Sequence, residues 1–412
     1  MQNLTVPTSF RMRSAVPILA SAAFFSLATL FHSSISPQAG GFSWAPWAAT
    51  PAHAQNEAVK AGMGSLLAPL RQLQPYLADQ SRFVDPTKQT EILSLLQSLR
   101  AGFHSIETVP SRYHKLPGFD FSLLQVSEIL SDSTNRLNEG KAGYAWWRSR
   151  VLPGACFSCH ATYQVTSSYS DEKVIDSSLD DLNRARFLLA TRQFVEAQST
   201  LLKVLSDPTQ RFDFAEALTS LLTVQTRTSS DPQQAVIVLQ KVLDSSALPE
   251  DDADQVRGWI LSLQSWTKEK KSSTPVSFLS DGERLVSSGL AKRLDGRDDQ
   301  VLLLRGTALL HKALESDSQK PEARSHALYL LGAAYNRLPM FFAESWSDMY
   351  LEQCISEFPG TADAKNAFRV MKESITEEFT GSAGTSMPAE VKLRIEELRK
   401  KAFGVPAMTG RV

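Results

Sequence analysis

Cysteine is scarce in this chain: three residues in 412, at Cys156, Cys159 and Cys354. A disulfide framework is therefore excluded as the basis of the fold, which must rest on an apolar core. Charge of one sign is lacking too. Lys and Arg total 43 against 44 Asp and Glu, a net charge of −1, which gives nucleic acid no electrostatic foothold. Long apolar runs are confined to one place, Ala15 to Phe31. Beyond residue 180 a phosphate-cradling glycine loop, a His cluster at metal spacing and a Ser/His/Asp set are all missing, so that part of the chain offers no recognisable catalytic constellation. What remains is ordinary globular composition, 42% hydrophobic and 21% charged.

The N-terminal 54 residues read as an export signal. Arg11 and Arg13 precede the apolar run, acidic residues are absent, and Ala52-His53-Ala54 forms a small-x-small cleavage pattern before Gln55. At about 17 residues the run 15–31 sits at the lower limit for spanning a bilayer, so an uncleaved membrane anchor is the alternative. Either way the rest of the chain is expected in the periplasm or beyond. Losing the two arginines takes the net charge from −1 to −3, and 412 residues less 54 leaves 358, room for two or three domains.

Two of the three cysteines fall in Cys156-Phe157-Ser158-Cys159-His160. C-x-x-C-H is the pattern for covalent attachment of haem c: two thiols form thioethers and the adjacent imidazole takes an axial position on iron. At about 100° per residue, Cys156 and His160 lie some 40° apart on a helix, with Cys159 beside them. One helical face thus presents all three groups to one side of a flat macrocycle. A redox dithiol needs no histidine and favours a βαβ setting, and a zinc site needs a second Cys/His pair that the chain lacks. Cys354 reads as a buried small apolar residue.

From Glu57 to about Tyr163 the apolar pattern is helical. One stripe runs through Val59, Met63, Leu66, Leu67, Leu70, Leu73 and Leu77, interrupted by Pro69 and Pro75; a second runs through Ile92, Leu95, Leu96, Leu99, Phe103 and Ile106. Asp85-Pro86 predicts a cap with proline at the first helical position of the second stripe. A weaker stripe takes in Leu123, Leu124, Ile129, Leu130 and Leu137, and a last segment carries Tyr144, Trp146, Trp147 and the haem motif. Four amphipathic segments predict an antiparallel four-helix bundle over residues 55–168, with haem near its C-terminal end.

A motif at the far end of four helices, opened by Ala58-Val59-Lys60 and continued as C-x-x-C-H-x-x-Y through Tyr163, resembles the cytochrome c′ family and its methionine-ligated relatives. The resemblance covers roughly residues 56–164. It implies a monohaem bundle, homodimerisation through that bundle, and one of two iron environments. Tyr163 matches the family pattern; Gln164 stands where the family has Arg or Lys. For the distal side, Met63 lies on the core stripe where the methionine-ligated branch carries its ligand, whereas aligning the helix opening puts Leu66 there, as in five-coordinate members. His104 and His114 are the remaining conventional ligands. Trp147 is a candidate to pack over haem beside Trp146, and Arg150, with Arg148, to meet its propionates or an acidic partner.

Residues 169–179 read as a polar linker. Beyond it the chain is helix-rich and self-similar: Ala197 to Leu205 aligns with Ala235 to Leu243, and Ala327 to Tyr335 precedes Tyr350 to Gly360 with its Phe358-Pro359-Gly360 turn. Small residues and aromatics at helix crossings, closed by proline, resemble tetratricopeptide repeats of bacterial envelope proteins over residues 180–380. Such stacks hold peptides or proteins. Residues 381–412 are expected to be a flexible stretch followed by a last helix from Pro388 to Phe403. His311 and His326 read as structural. The expectation is an all-α, exported, non-enzymatic monohaem cytochrome that carries single electrons and docks a redox or scaffold protein through its repeats. The alternatives are a five-coordinate protein binding NO or CO, and an envelope scaffold.

Overall fold

The computed structural model describes residues 52–404 apart from 109–111, 164–177, 230, 246–247, 270–272, 292–298, 317–319, 339–343 and 383. The expected leader with its apolar run at 15–31, and the expected linker up to residue 177, lie outside the described residues. Among the described residues the chain is helical almost throughout, and no helix is long and apolar enough to cross a membrane. The fold class is all-α.

The first apolar stripe is two helices, α1 (Ala52–Ser65) and α2 (Leu67–Ala78), broken at Leu66. Pro69 falls in the first turn of α2, where a backbone N–H has no helical partner in any case, and Pro75 lies inside it. Leu66, Leu70, Leu73 and Leu77 are buried along this pair. A short α3 (Gln80–Val84) follows, capped by Asp79, whose carboxylate accepts from Ser81 N at 2.8 Å. Asp85 accepts from Thr87 N at 2.9 Å, so the expected cap closes a turn, and α4 (Gln89–Glu107) begins only after it. All six residues of the second stripe are buried on α4.

Next come α5 (Phe119–Asn138), α6 (Ala142–Ser149) and α7 (Leu152–Thr162). On α5 the buried face is Leu123, Val126, Ile129, Leu130 and Leu137; Leu124 is 53% exposed, because it lies off the face that Val126 completes. The chain breaks between α6 and α7 at Arg150 and Val151, which puts Pro153 in the first turn of α7 rather than in a helix interior. Helix α4 packs on α1, α2 and α5, and α5 packs on α6 and α7.

The remaining helices are α8 (Asp181–Ala190), α9 (Phe194–Ser206), α10 (Phe214–Thr223), α11 (Pro232–Asp244), α12 (Glu250–Trp266), α13 (Pro275–Ala291), α14 (Asp299–Leu314), α15 (Pro321–Tyr335), α16 (Glu344–Glu357), α17 (Ala362–Glu378) and α18 (Ala389–Ala402). Chain neighbours pack on each other: α8 on α9, α11 on α12, α13 on α14, α15 on α16, α16 on α17. The self-similar segments fall on α9 and α11, where Ala197, Leu201 and Val204 are buried in step with Ala235, Leu239 and Val242. At Phe358-Pro359-Gly360 the chain turns from α16 to α17, with Gly360 at φ 81° and Thr361 capping the next helix. Thr380–Gly381 pairs antiparallel with Gly384–Thr385 before α18, and Thr380 Oγ1 meets Thr385 Oγ1 at 2.8 Å.

Residues 50–412 form one compact unit with two apolar clusters. The first is built from α1 to α7 and also takes Phe187 and Ala190 from α8. The second runs from α8 onward and takes Phe157 and Ala161 from α7. Each cluster therefore reaches into the other's helices.

Candidate functional site

Helix α7, Leu-Pro-Gly-Ala-Cys-Phe-Ser-Cys-His-Ala-Thr, carries no formal charge unless its histidine is protonated, and it is enclosed on two sides, as a helix apolar all round must be. Phe157 and Ala161, four residues apart, enter the second apolar cluster. The opposite side carries Ala155, Cys156, Cys159 and His160, which open on a small cavity of about 50 Å³. The other walls are Met63 and Leu66 at the α1–α2 break, Leu67 and Leu70 on α2, Phe103 on α4, Ser122, Leu123 and Val126 on α5, and Ala190 and Thr191 at the end of α8. The volume is below the roughly 300–1,000 Å³ of cofactor sites, so it is the donor groups on the wall and not the volume that point to a cofactor.

The chemistry of the cavity is concentrated in three groups. Ser122 Oγ is already used, donating to Gly118 O at 2.7 Å, and Thr191 Oγ1 donates to Phe187 O at 2.9 Å. That leaves two thiols and an imidazole. Burial pushes the thiols of Cys156 and Cys159 up to about 12, so neither is a thiolate at neutral pH. This disfavours a redox dithiol, which needs at least one low-pKa sulfur. Burial first, and the charge of Arg192 second, bring His160 down to about 3 against an opposing backbone hydrogen bond with Ala190, and its Nδ1 is buried without a hydrogen-bond partner. All three residues keep some accessible surface, and it faces the cavity; the surrounding protein nonetheless desolvates them. A neutral imidazole with an unshared nitrogen is a metal ligand in type. Among the described residues no group of three or more His, Cys, Asp or Glu side chains could hold a metal ion.

Both distal candidates lie in the wall. Met63 is half-buried; Leu66 is buried and seated against Gly102, where an added Cβ would collide with its Cδ2. The two histidines are elsewhere: His104 is exposed and pairs with Glu107 at 3.3 Å, and His114 pairs with Asp120. Tyr163, Trp147 and Arg150 are not in the wall either. Tyr163 caps α7 and donates from its hydroxyl to Pro117 O at 2.9 Å. Trp147 is 39% exposed beside Tyr144, while Trp146 Nε1 donates to Leu77 O at 3.0 Å and Arg150 lies 5.3 Å from the Trp146 ring centroid. Arg148 pairs with Asp132 at 3.6 Å. Far from the cavity, Cys354 is fully buried, and His326 bridges Asp363 at 2.9 Å and Glu283 at 3.3 Å.

The sequence reading missed Ala190 and Thr191. They stand beyond the expected linker on a helix assigned to the repeats, and nothing local marks them. No protein-family model, curated protein or solved structure matches this chain.

Proposed function

We propose that the chain is an exported single-electron carrier with one covalently attached haem c, held by the helices before residue 168, and a repeat region that docks a redox or scaffold protein. The observation that carries this reading is the apolar cavity on which Cys156, Cys159 and His160 open together from one face of α7, opposite Met63 and Leu66. These residues fit the group: thiols for two thioethers, a neutral imidazole with a nitrogen to share, and walls without a formal charge. When bound, haem supplies a one-electron iron couple. The chain's part is to fix the attachment with Cys156 and Cys159, offer the His160 nitrogen, exclude water with Leu67, Leu70, Phe103 and Val126, and decide the distal side with Met63 or Leu66. In this reading α1 to α7 serve as a four-helix bundle, and the neighbour-on-neighbour packing from α8 onward as tetratricopeptide-like repeats.

Leu66 supports a second reading. Its fixed seat against Gly102 suits an open distal face that binds NO or CO. Protein matured in a bacterial periplasm separates the two. Single-electron transfer predicts haem that survives acid-acetone extraction, and a low-spin spectrum whose methionine–iron band disappears in Met63→Ala. Gas binding predicts a high-spin spectrum that Met63→Ala leaves alone and that CO shifts without displacing a side chain. Absence of covalent haem in the wild type, or its survival in a Cys156→Ala/Cys159→Ala double variant, overturns both.

A further inference from the structure

Cys156 and Cys159 face a cavity of about 50 Å³, room for a few water molecules. Any organic group that bonds to those sulfurs is larger. Either a wall of the cavity moves in the folded chain, or the bonds form before the chain folds. Most of the walls are held. Helix α4 buries six apolar side chains, α5 is buried along its whole inner face, and α7 enters both apolar clusters. The end of α8 is fastened by Thr191, whose Oγ1 donates to Phe187 O at 2.9 Å and accepts from Gln193 Nε2 at 2.8 Å. On α2, Leu77 O accepts from Trp146 Nε1 at 3.0 Å.

Helix α1 is held less. Of its residues 59–65, Val59 alone is buried. Where α1 meets α4, two glycines set the fit: an added Cβ at Gly62 would stand 2.8 Å from Ile106 Cγ1, and one at Gly102 would stand 2.4 Å from Leu66 Cδ2. Contacts of this kind seat a helix closely but bury little side chain. The last turn of α1 contains Gly62 and Gly64, each weaker than alanine in a helix. At the break, Leu66 N donates to Met63 O at 3.3 Å and Leu70 N to Leu66 O at 3.1 Å, while Pro69 has no N–H to offer Ser65 O. A weakly held helix thus ends on a pivot, and Met63 and Leu66 beside that pivot are cavity wall.

We infer that the end of α1 is a flap: residues 62–66 come away from α4 and open the cavity to Cys156 and Cys159 while the rest of the fold stays closed. The inference rests on the functional reading above only for the identity of what passes, a haem. The two distal candidates then differ in role, since Met63 travels with the flap and Leu66 is the catch that seats against Gly102. The competing account is that the sulfurs are reached only in the unfolded chain, which then closes around what they carry.

Maleimide labelling of the full chain, reduced and free of haem, separates the accounts. Cys354 is the internal reference: it is fully buried in the second cluster and reports opening of that core. Cys156 and Cys159 are expected to label at least about tenfold faster than Cys354, through local opening. Gly102→Ala, which unseats Leu66, is expected to widen that ratio by about tenfold. Gly64→Ala, which stiffens the last turn and meets nothing within 4 Å, is expected to narrow it about two- to fivefold. Hydrogen exchange is a second reading that needs no free thiol: amides of residues 62–66 are expected to exchange before those of 95–106 on α4. If Cys156 and Cys159 label no faster than Cys354, if the ratio ignores both variants, or if 62–66 exchange no earlier than α4, the inference is overturned, and covalent haem in matured protein would leave the functional reading standing. If labelling behaves as expected and matured protein carries no covalent haem, the flap stands and the functional reading falls.

Discussion

His311 shows how a single side chain can set a pH limit. It is buried on α14 among four rings, 6.1 Å from Tyr163, 6.0 Å from Tyr335, 6.2 Å from Trp346 and 5.7 Å from Tyr350, and its Nε2 lies 2.9 Å from the Tyr335 hydroxyl. Burial first, then the charge of Arg227, hold its pKa well below the ordinary 6.5. The unfolded chain therefore takes up a proton, as pH drops past 6.5, that the folded chain refuses. The contribution is fully present above that pH and is lost as pH falls below it. Urea midpoints measured from pH 7 to pH 5 are expected to decline in the wild type and to decline less steeply in His311→Gln; equal slopes would exclude the mechanism. The sequence made His311 structural, because one histidine on a helical pattern has no partner in sight. Its four rings come from α7, α15 and α16, which no local pattern connects. Cys156 to His160 is the opposite case: its geometry lies within two helical turns, so spacing alone carries it. Arg192, at φ 63°, was illegible, since nothing in Thr191-Arg192-Gln193 announces a left-handed residue.

Whole helices were legible where one face meets one core. The α4 stripe is buried residue for residue, and the alignment of Ala197–Leu205 with Ala235–Leu243 places matching buried positions on α9 and α11. Legibility failed at breaks and edges. The stripe through Leu66 continues across α1 and α2 although the helix does not, because the break keeps Leu66 facing inward. Leu124 misled by type: leucine on the outer face of α5 is exposed. Small residues at crossings were a sound guide, and they lead to a paired prediction. A Cβ at Gly332 on α15 would lie 2.5 Å from Leu351 Cγ and 3.1 Å from Leu351 N on α16, so backbone as well as side chain would have to move. Gly332→Ala is expected to cost about 1–3 kcal/mol through overpacking. At Gly64 on α1 nothing lies within 4 Å of the added atom. Gly64→Ala is expected to stabilise by about 0.5–1 kcal/mol from helix propensity. Denaturant midpoints of the two variants should move in opposite directions; movement together would mean that propensity, not the crossing, governs both.

At the scale of the molecule, the Cys156–His160 stretch lies at a seam between two cores and not at the end of a separate module. Phe157 is 1% exposed within the second cluster, 6.3 Å from the Phe194 ring on α9, while Cys156 beside it opens on the cavity of the first. Tyr163 and Tyr350 donate to the same carbonyl, Pro117 O, at 2.9 and 3.1 Å, tying the end of α7 and the middle of α16 to the turn before α5. Gly118 makes this possible: at φ 87° a Cβ there would stand 2.7 Å from the Tyr350 hydroxyl. A composition break at the polar stretch before residue 180 suggested separable parts, since sequence reports where helices stop and not which cores they share. With α7 embedded in both clusters, loosening one exposes apolar surface of the other. Loss of the absorbance of the proposed haem and loss of far-UV helical signal are therefore expected at one common midpoint, as in a single cooperative unit. Phe157→Ala, which cuts away a ring on the side of α7 that enters the second cluster, is expected to cost about 3–5 kcal/mol. Its distinguishing result is that both midpoints drop together, although the truncation lies on the face turned away from the cavity. Two resolved transitions in the wild type, or a variant in which the helical signal shifts while the haem signal stays, would show that the seam does not couple the halves. Coupling of this kind would let a change in the helices from α8 onward alter the surroundings of His160, since the last residues of α8 are already the wall of its cavity.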